Sequence, residues 1–205
     1  MKHFYAFCLL LMASLCGGIV SANAHGSASM AGDEAAALTG RDLYDYQVSK
    51  LGLIRLKNKR STTAYLTSRE AGKAIGATKA STGYSQIWIW EKSGAGYTLR
   101  NANTGEFLQS TYSTPSSAAT VLYVQFSPNN TGTMSYVNIS SSSSFSGQTC
   151  LNLGSDAKTL YQWSYSGDAG SDWQIELAED VTVDEVKLHL NSLKGYASEI
   201  KSGGY

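Results

Sequence analysis

The sequence predicts an all-β domain, a closed barrel with three-fold pseudo-symmetry, followed by a C-terminal amphipathic helix. Three observations predict it. From about Leu51 to Leu177 the chain is a succession of short alternating apolar runs separated by Gly, Asn and Ser clusters. Within it three stretches are equivalent, Ala64-Tyr65-Leu66, Glu106-Phe107-Leu108 and Thr149-Cys150-Leu151, with leucines 42 and 43 residues apart. After residue 180 the apolar spacing changes from two to alternating three and four.

The first 24 residues read as a secretory signal. Lys2 and His3 form a short polar start, Phe4 to Val20 is apolar, and Ala22-Asn23-Ala24 gives the small-x-small cleavage pattern. Gly17-Gly18 interrupts the apolar stretch and argues against a membrane anchor. Anchoring as a lipoprotein through Cys16 is the lesser alternative, because Leu15 stands where a small residue is expected. The expected location is therefore outside the cell or at its surface, with no membrane association after cleavage. Cleavage removes Cys8 and Cys16, leaving Cys150 without an internal partner, as a small buried hydrophobe. It also removes Lys2, which leaves 15 basic against 16 acidic residues with no basic cluster and excludes a dedicated nucleic-acid binder. With 16% charged and 11% aromatic residues the chain can bury a core, which excludes global disorder. Residues 25–47 are assigned to a flexible leader, most clearly the small, polar run from His25 to Gly40 with Asp33-Glu34.

The strands follow from period two. Ile54-Arg55-Leu56-Lys57 alternates; Ile87 and Ile89 share one face while Trp88 and Trp90 share the other. Leu122, Val124 and Phe126 alternate with Val121, Tyr123 and Gln125, and Trp173, Ile175 and Leu177 with Gln174 and Glu176. Leu66 to Trp88 is 22 residues, and so is Leu151 to Trp173. In the middle unit the matching aromatic is assigned to Tyr136, 28 residues after Leu108, with the six extra residues in Ser113–Thr120 or Ser127–Thr133. Three units are too few for a propeller, and the period is wrong for a helical solenoid. Three strand units closing on one core make a barrel without exposed edges. One layer would be Leu66, Leu108 and Leu151, another Trp88, Tyr136 and Trp173.

Residues 48–178 resemble the β-trefoil fold and, within it, the ricin-type lectin modules. Gln86-Ile87-Trp88 resembles their Gln-x-Trp, Cys150-Leu151-Asn152-Leu153 their apolar pair followed by an acid, and Leu160-Tyr161-Gln162-Trp163 their strand ending in a sugar-stacking aromatic. The pattern also looks like trefoil modules appended to large secreted bacterial proteins. The resemblance implies a secreted, non-catalytic, carbohydrate-binding module with a glycan or polysaccharide as a weakly bound partner and no cofactor or metal. The sequence departs from the family where the acid would stand, with Thr67, Gln109 and Asn152 in the three units.

A sugar site needs an exposed aromatic plane and a few oriented polar groups. Asn152, Trp163, Tyr165 and Asp156 are the first candidates, since Trp163 and Tyr165 alternate with Ser164. Gln86, with Trp90 and Tyr84, is the second. Only His25 and His189 remain after cleavage, and no paired carboxylates are visible, so neither a metal site nor glycosidase chemistry is expected. The alternative function is a structural or protein-interaction trefoil, such as a protease inhibitor using loops Ser113–Thr120 and Ser127–Thr133.

Residues 179–205 complete the chain. Thr182-Val183-Asp184-Glu185 is a capping box, and Val183, Val186, Leu190, Leu193, Ala197 and Ile200 form one helical stripe. The helix is expected to be dispensable for the trefoil, and Gly204-Tyr205 looks like the opening of a further strand, as if the protein continued into further domains.

Overall fold

A computed structural model describes residues 38–50 and 52–193; the signal segment, most of the leader and residues 194–205 lie outside the described residues. The elements in chain order are α1 (Gly40–Lys50), β1 (Gly52–Asn58), β2 (Tyr65–Thr67), β3 (Gly76–Thr78), β4 (Trp88–Ser93), β5 (Gly96–Asn101), β6 (Tyr123–Phe126), β7 (Tyr136–Ser140), β8 (Cys150–Leu153), β9 (Leu160–Trp163), β10 (Trp173–Leu177) and α2 (Val183–Ser192).

Six strands form a ring, with antiparallel pairs β1–β4, β4–β5, β6–β7, β7–β10 and β10–β1. The ring closes between β5 and the start of β6, where the Tyr97 and Leu122 N–H groups each donate to the other's carbonyl at 2.8 Å. That seam needs Gly96, because a Cβ there would lie 2.4 Å from the Leu122 carbonyl oxygen. The remaining strands make three hairpins: β2–β3, the short bridge Phe107–Ser116, and β8–β9.

The register repeats three times. Ile54 pairs with Trp88, Tyr97 with Leu122, and Val137 with Trp173. Four residues further along each first strand, the same backbone bond recurs. Asn58 N–H donates to Ala64 O at 2.9 Å, Asn101 N–H to Glu106 O at 2.8 Å, and Ser141 N–H to Thr149 O at 3.0 Å. Leu66, Leu108 and Leu151 are fully buried in one cluster, as the spacing predicts. Each contributes about 1.5–3 kcal/mol of burial. Trp88 Nε1–H donates to the Leu66 carbonyl at 3.1 Å and Trp173 Nε1–H to the Leu151 carbonyl at 2.9 Å, so two indoles hold their own unit's hairpin.

The second layer differs from the expectation. Its middle member is Leu122, and Tyr136 instead opens β7 of the third unit. The middle unit has a contracted hairpin, and the extra length falls later, in the connection from β6 to β7. Counting from Leu108 to the next aromatic therefore crosses into the following unit.

The leader assignment also changes. Residues 40–50 form α1, which lacks a regular apolar stripe but buries Tyr44 and Gln47. Gln47 Nε2–H donates to Ile175 O at 2.7 Å and the Tyr44 ring meets Phe126 edge-on at 5.6 Å. Ile175 lies two residues beyond the Trp88–Leu122–Trp173 layer on the side away from the hairpins, so α1 covers that end of the barrel.

Helix α2 begins at the predicted capping box. Glu185 N–H donates to Thr182 Oγ1 at 3.2 Å, and Thr182 N–H donates to Glu185 Oε2 at 2.7 Å. Those bonds to Thr182 hold the Glu185 carboxyl below its ordinary pKa. Val186 and Leu190 are buried with Ile87, Ala102 and Ala178 on the outer side of the barrel. The stripe thus has a partner on the barrel; Ala197 and Ile200 lie outside the described residues.

One buried charge ties the units together. Asp172, whose side chain is fully buried, accepts from Ser127 Oγ at 2.5 Å, Asn129 Nδ2 at 3.2 Å and Asn138 Nδ2 at 3.1 Å, and pairs with Lys59 Nζ at 3.0 Å. A buried carboxylate is tolerable only when it is paired and hydrogen-bonded in this way.

Leu190→Ala is expected to destabilise the domain by about 2–4 kcal/mol in urea unfolding, since it empties a packed site. Unchanged stability would show that α2 is detachable after all. Asp172→Ala is expected to cost about 3–5 kcal/mol, because Lys59 and three polar side chains lose their shared acceptor. A loss below about 1 kcal/mol would place the network at the level of an ordinary surface pair.

Candidate functional site

The position after each core leucine, which the resemblance treats as a ligand position, has one structural role in all three units. Gln86 Nε2–H donates to Thr67 Oγ1 at 3.1 Å, Thr120 Oγ1–H to Gln109 Oε1 at 2.7 Å, and Asn152 Nδ2–H to Ser171 Oγ at 2.9 Å. Gln86, Thr120 and Ser171 each stand two residues before Trp88, Leu122 and Trp173. Each pair ties a hairpin to the barrel strand that follows it.

Gln86 is wholly committed to this structural work. It is 1% exposed; its amide also donates to Thr78 Oγ1 at 3.0 Å and Lys79 O at 2.8 Å, and its oxygen accepts from Ser81 N–H at 2.9 Å. Trp90 is buried in the barrel, and Tyr84 stacks on His189 with ring centroids 4.6 Å apart. Gln86, Trp90 and Tyr84 therefore form no common site, which corrects the second candidate.

The third unit is different. In the β8–β9 hairpin, Cys150 pairs with Trp163 and Asn152 with Tyr161. Directly paired residues project to the same face, so all four share one side of the hairpin. Trp163 is 45% exposed and Tyr161 46% exposed, whereas Asn152 beneath them is only 3% exposed. Two residues apart on one strand, the aromatics have Cα atoms about 7 Å apart, and Trp163 is diagonal to Asn152. The Tyr161 ring lies over Gly154, where a Cβ would come within 2.4 Å of Cε2; the glycine leaves room for the ring. Asn152 Oδ1 receives no donor among the described residues and remains free to accept.

The other first-rank candidates fall outside this face. Tyr165 lies beyond the end of β9, half-buried, with its ring edge-on to Phe145 at 6.5 Å and its carbonyl held by Asn129 Nδ2 at 3.1 Å. Asp156 sits at the far end of the hairpin, where it accepts from Thr159 Oγ1 at 2.5 Å and from the Lys158 and Thr159 N–H groups at 2.9 Å. Those bonds, the Thr159 hydroxyl first, hold its carboxyl down at about 2. It closes its own turn and is not brought to Trp163. Tyr161, which the sequence pattern was not used to mark, is the aromatic that shares the face of Trp163. The signal was present: alternation along β9 places Tyr161 with Trp163, while Tyr165 falls after the strand has ended.

Cys150 lies fully buried opposite Trp163, and burial pushes its thiol up to about 11, far from a reactive thiolate. His189 Nε2 is 3.3 Å from the Asn103 carbonyl, and no group of three His, Cys, Asp or Glu side chains among the described residues is placed to hold a metal. No described helix is long and apolar enough to cross a membrane. Both loops of the protease-inhibitor alternative are tied down: Gln109 Nε2–H donates to Ala118 O at 2.9 Å, and Asn130 Nδ2–H to Tyr136 O at 2.7 Å.

No protein-family model matches the sequence, and no curated protein matches it. Among solved structures the chain is similar to the agglutinin of Rhizoctonia solani, at 21% identity and a TM-score of 0.51, over 62% of this chain and 95% of that one. It is similar also to a mosquitocidal holotoxin, at 17% identity and a TM-score of 0.51, over 62% of this chain and 17% of that one. A ricin B-like lectin of Macrolepiota procera, solved in complex with lactose, aligns at 18% identity and a TM-score of 0.49, over 61% of this chain and 94% of that one. The three-fold barrel is a β-trefoil, the fold that the sequence resemblance implies.

Proposed function

We propose that the chain is an exported, non-catalytic lectin-like module that binds a neutral glycan on the outer face of β9. One observation carries this reading: Tyr161 and Trp163 share one face of β9, each about half exposed, across the hairpin from Asn152, whose amide oxygen has no donor among the described residues. Large aromatics are normally covered, so two on one short strand mark an interaction surface. A sugar ring offers C–H groups on one face, which rest on an aromatic plane, and hydroxyls at its edge, which donate to an amide oxygen. The surface is shallow, so affinity at this one site is on the order of millimolar. Export rests on the signal pattern of residues 1–24. A role as the targeting part of a longer polypeptide has support in the holotoxin, where the matching region is 17% of that chain.

The carboxylates support a non-catalytic reading. Glu70 and Asp156 line one cleft, but Asp156 is hydrogen-bonded on both oxygens and held at about 2. A glycosidase acid needs the opposite environment, one that raises its pKa toward neutrality. Elsewhere Asp168 pairs with Arg60, Asp180 with Arg55 and Asp172 with Lys59, each in its own place.

The test is Trp163→Ala and Tyr161→Ala, made separately and screened on an array of neutral glycans beside thermal melting. Each variant is expected to weaken binding at least tenfold with the melting temperature within about 2 °C, since both side chains are exposed. Undiminished binding by both variants, or no glycan bound by the wild-type chain, would remove the β9 site.

A further inference from the structure

A second concave surface lies away from β9. A cleft of about 710 Å3 opens between the β2–β3 hairpin of the first unit and the β8–β9 turn of the third. That volume falls within the range of small-ligand sites. Its walls are fixed. Ala77 N–H donates to Lys158 O at 2.9 Å, joining the two walls, and the Asp156 bonds hold the turn of the second.

Four cations line this cleft, Arg69, Lys73, Lys79 and Lys158. Among the described residues none of them has an ion-pair partner, whereas Arg41, Arg55, Lys57, Lys59, Arg60 and Lys187 each do. Against them stand Glu70 and Asp156, and the carboxylate of Asp156 is occupied by its own turn. In a chain with 16 basic and 16 acidic residues, this is a local excess of unpaired positive charge in a concavity, where fields are focused. The lining also carries the hydroxyls of Ser61 and Thr63 and no aromatic side chain, while Thr67 and Thr78 spend theirs on each other and on Gln86. A base-stacking ligand would want aromatic planes, and so would a neutral sugar.

We propose that this cleft binds an anionic saccharide, sulfated or carboxylated, at a site separate from Tyr161 and Trp163. The lysines and arginine take the charged substituents, and the hydroxyls of Ser61 and Thr63 meet the sugar hydroxyls. Binding weakens steeply with salt, because exposed charges carry it.

The experiment uses the full chain, with dextran sulfate as probe and neutral dextran and inorganic sulfate as comparisons. The wild-type chain is expected to bind dextran sulfate and not dextran. The double variant Lys73→Ala with Lys158→Ala is expected to bind at least tenfold more weakly. A double variant on another face, Lys92→Ala with Lys187→Ala, removes the same charge and is expected to stay within about twofold of the wild type. Trp163→Ala is expected to retain full dextran sulfate binding, so failure of the β9 site leaves this result intact. Equal losses in the two double variants would overturn the cleft as the site, as would absence of wild-type binding. Displacement by inorganic sulfate at the polymer's own sulfate concentration would show a small-anion site and overturn the saccharide.

Discussion

Three side-chain hydrogen bonds, one per unit, join the residue after the core leucine to the residue two positions before the next barrel layer. They are Thr67–Gln86, Gln109–Thr120 and Asn152–Ser171. The first and third are buried and the second is half-buried, and a buried polar group without a partner is costly. The pairs therefore fix where each hairpin sits on the barrel. The indole bonds of Trp88 and Trp173 to the Leu66 and Leu151 carbonyls add a second anchor in the first and third units. With hairpins so fixed, the surface of the domain becomes a rigid frame on which exposed residues differ from unit to unit.

Those differences carry the functional argument. The second unit reduces its hairpin to the Phe107–Ser116 bridge and offers little surface. The first unit buries Gln86 in four acceptors' and donors' worth of bonding and presents cations beside β3. The third unit substitutes the small Ser171 for that glutamine, keeps one oxygen of Asn152 free, and turns two aromatics outward. One scaffold thus presents two chemically distinct surfaces, an aromatic one on β9 and a cationic one between the first and third hairpins.

Much of the fold was legible in the sequence, because it rests on repeated large residues at repeated spacings. The three leucines and the Trp88 and Trp173 spacings register directly in the core. The middle layer was not legible: Leu122 carries no aromatic signature, and shortening before it is followed by lengthening after it. Helix α1 was hidden because its contact with the barrel runs through Tyr44 and Gln47 without a regular apolar stripe. At the site, the sequence marked Trp163 and Asn152 but not the bond from Asn152 to Ser171. Asn152 and Ser171 are 19 residues apart, as are Thr67 and Gln86, but the residue types differ between the two units, so the shared spacing carries no common motif. Asp156 was grouped with Trp163 by proximity in the chain, yet a hairpin separates its two ends, and the acid faces the first unit instead.

The most direct measurement is hydrogen exchange of the individual indole N–H groups by NMR. Trp88 and Trp173 are expected to exchange slowly and together, as two equivalent bonds broken only by opening the hairpin-to-barrel contact. Trp163 should exchange at close to the rate of a free indole. Strong protection at Trp163, or rapid exchange at Trp88 and Trp173, would contradict both the repeated anchor and the outward aromatic face.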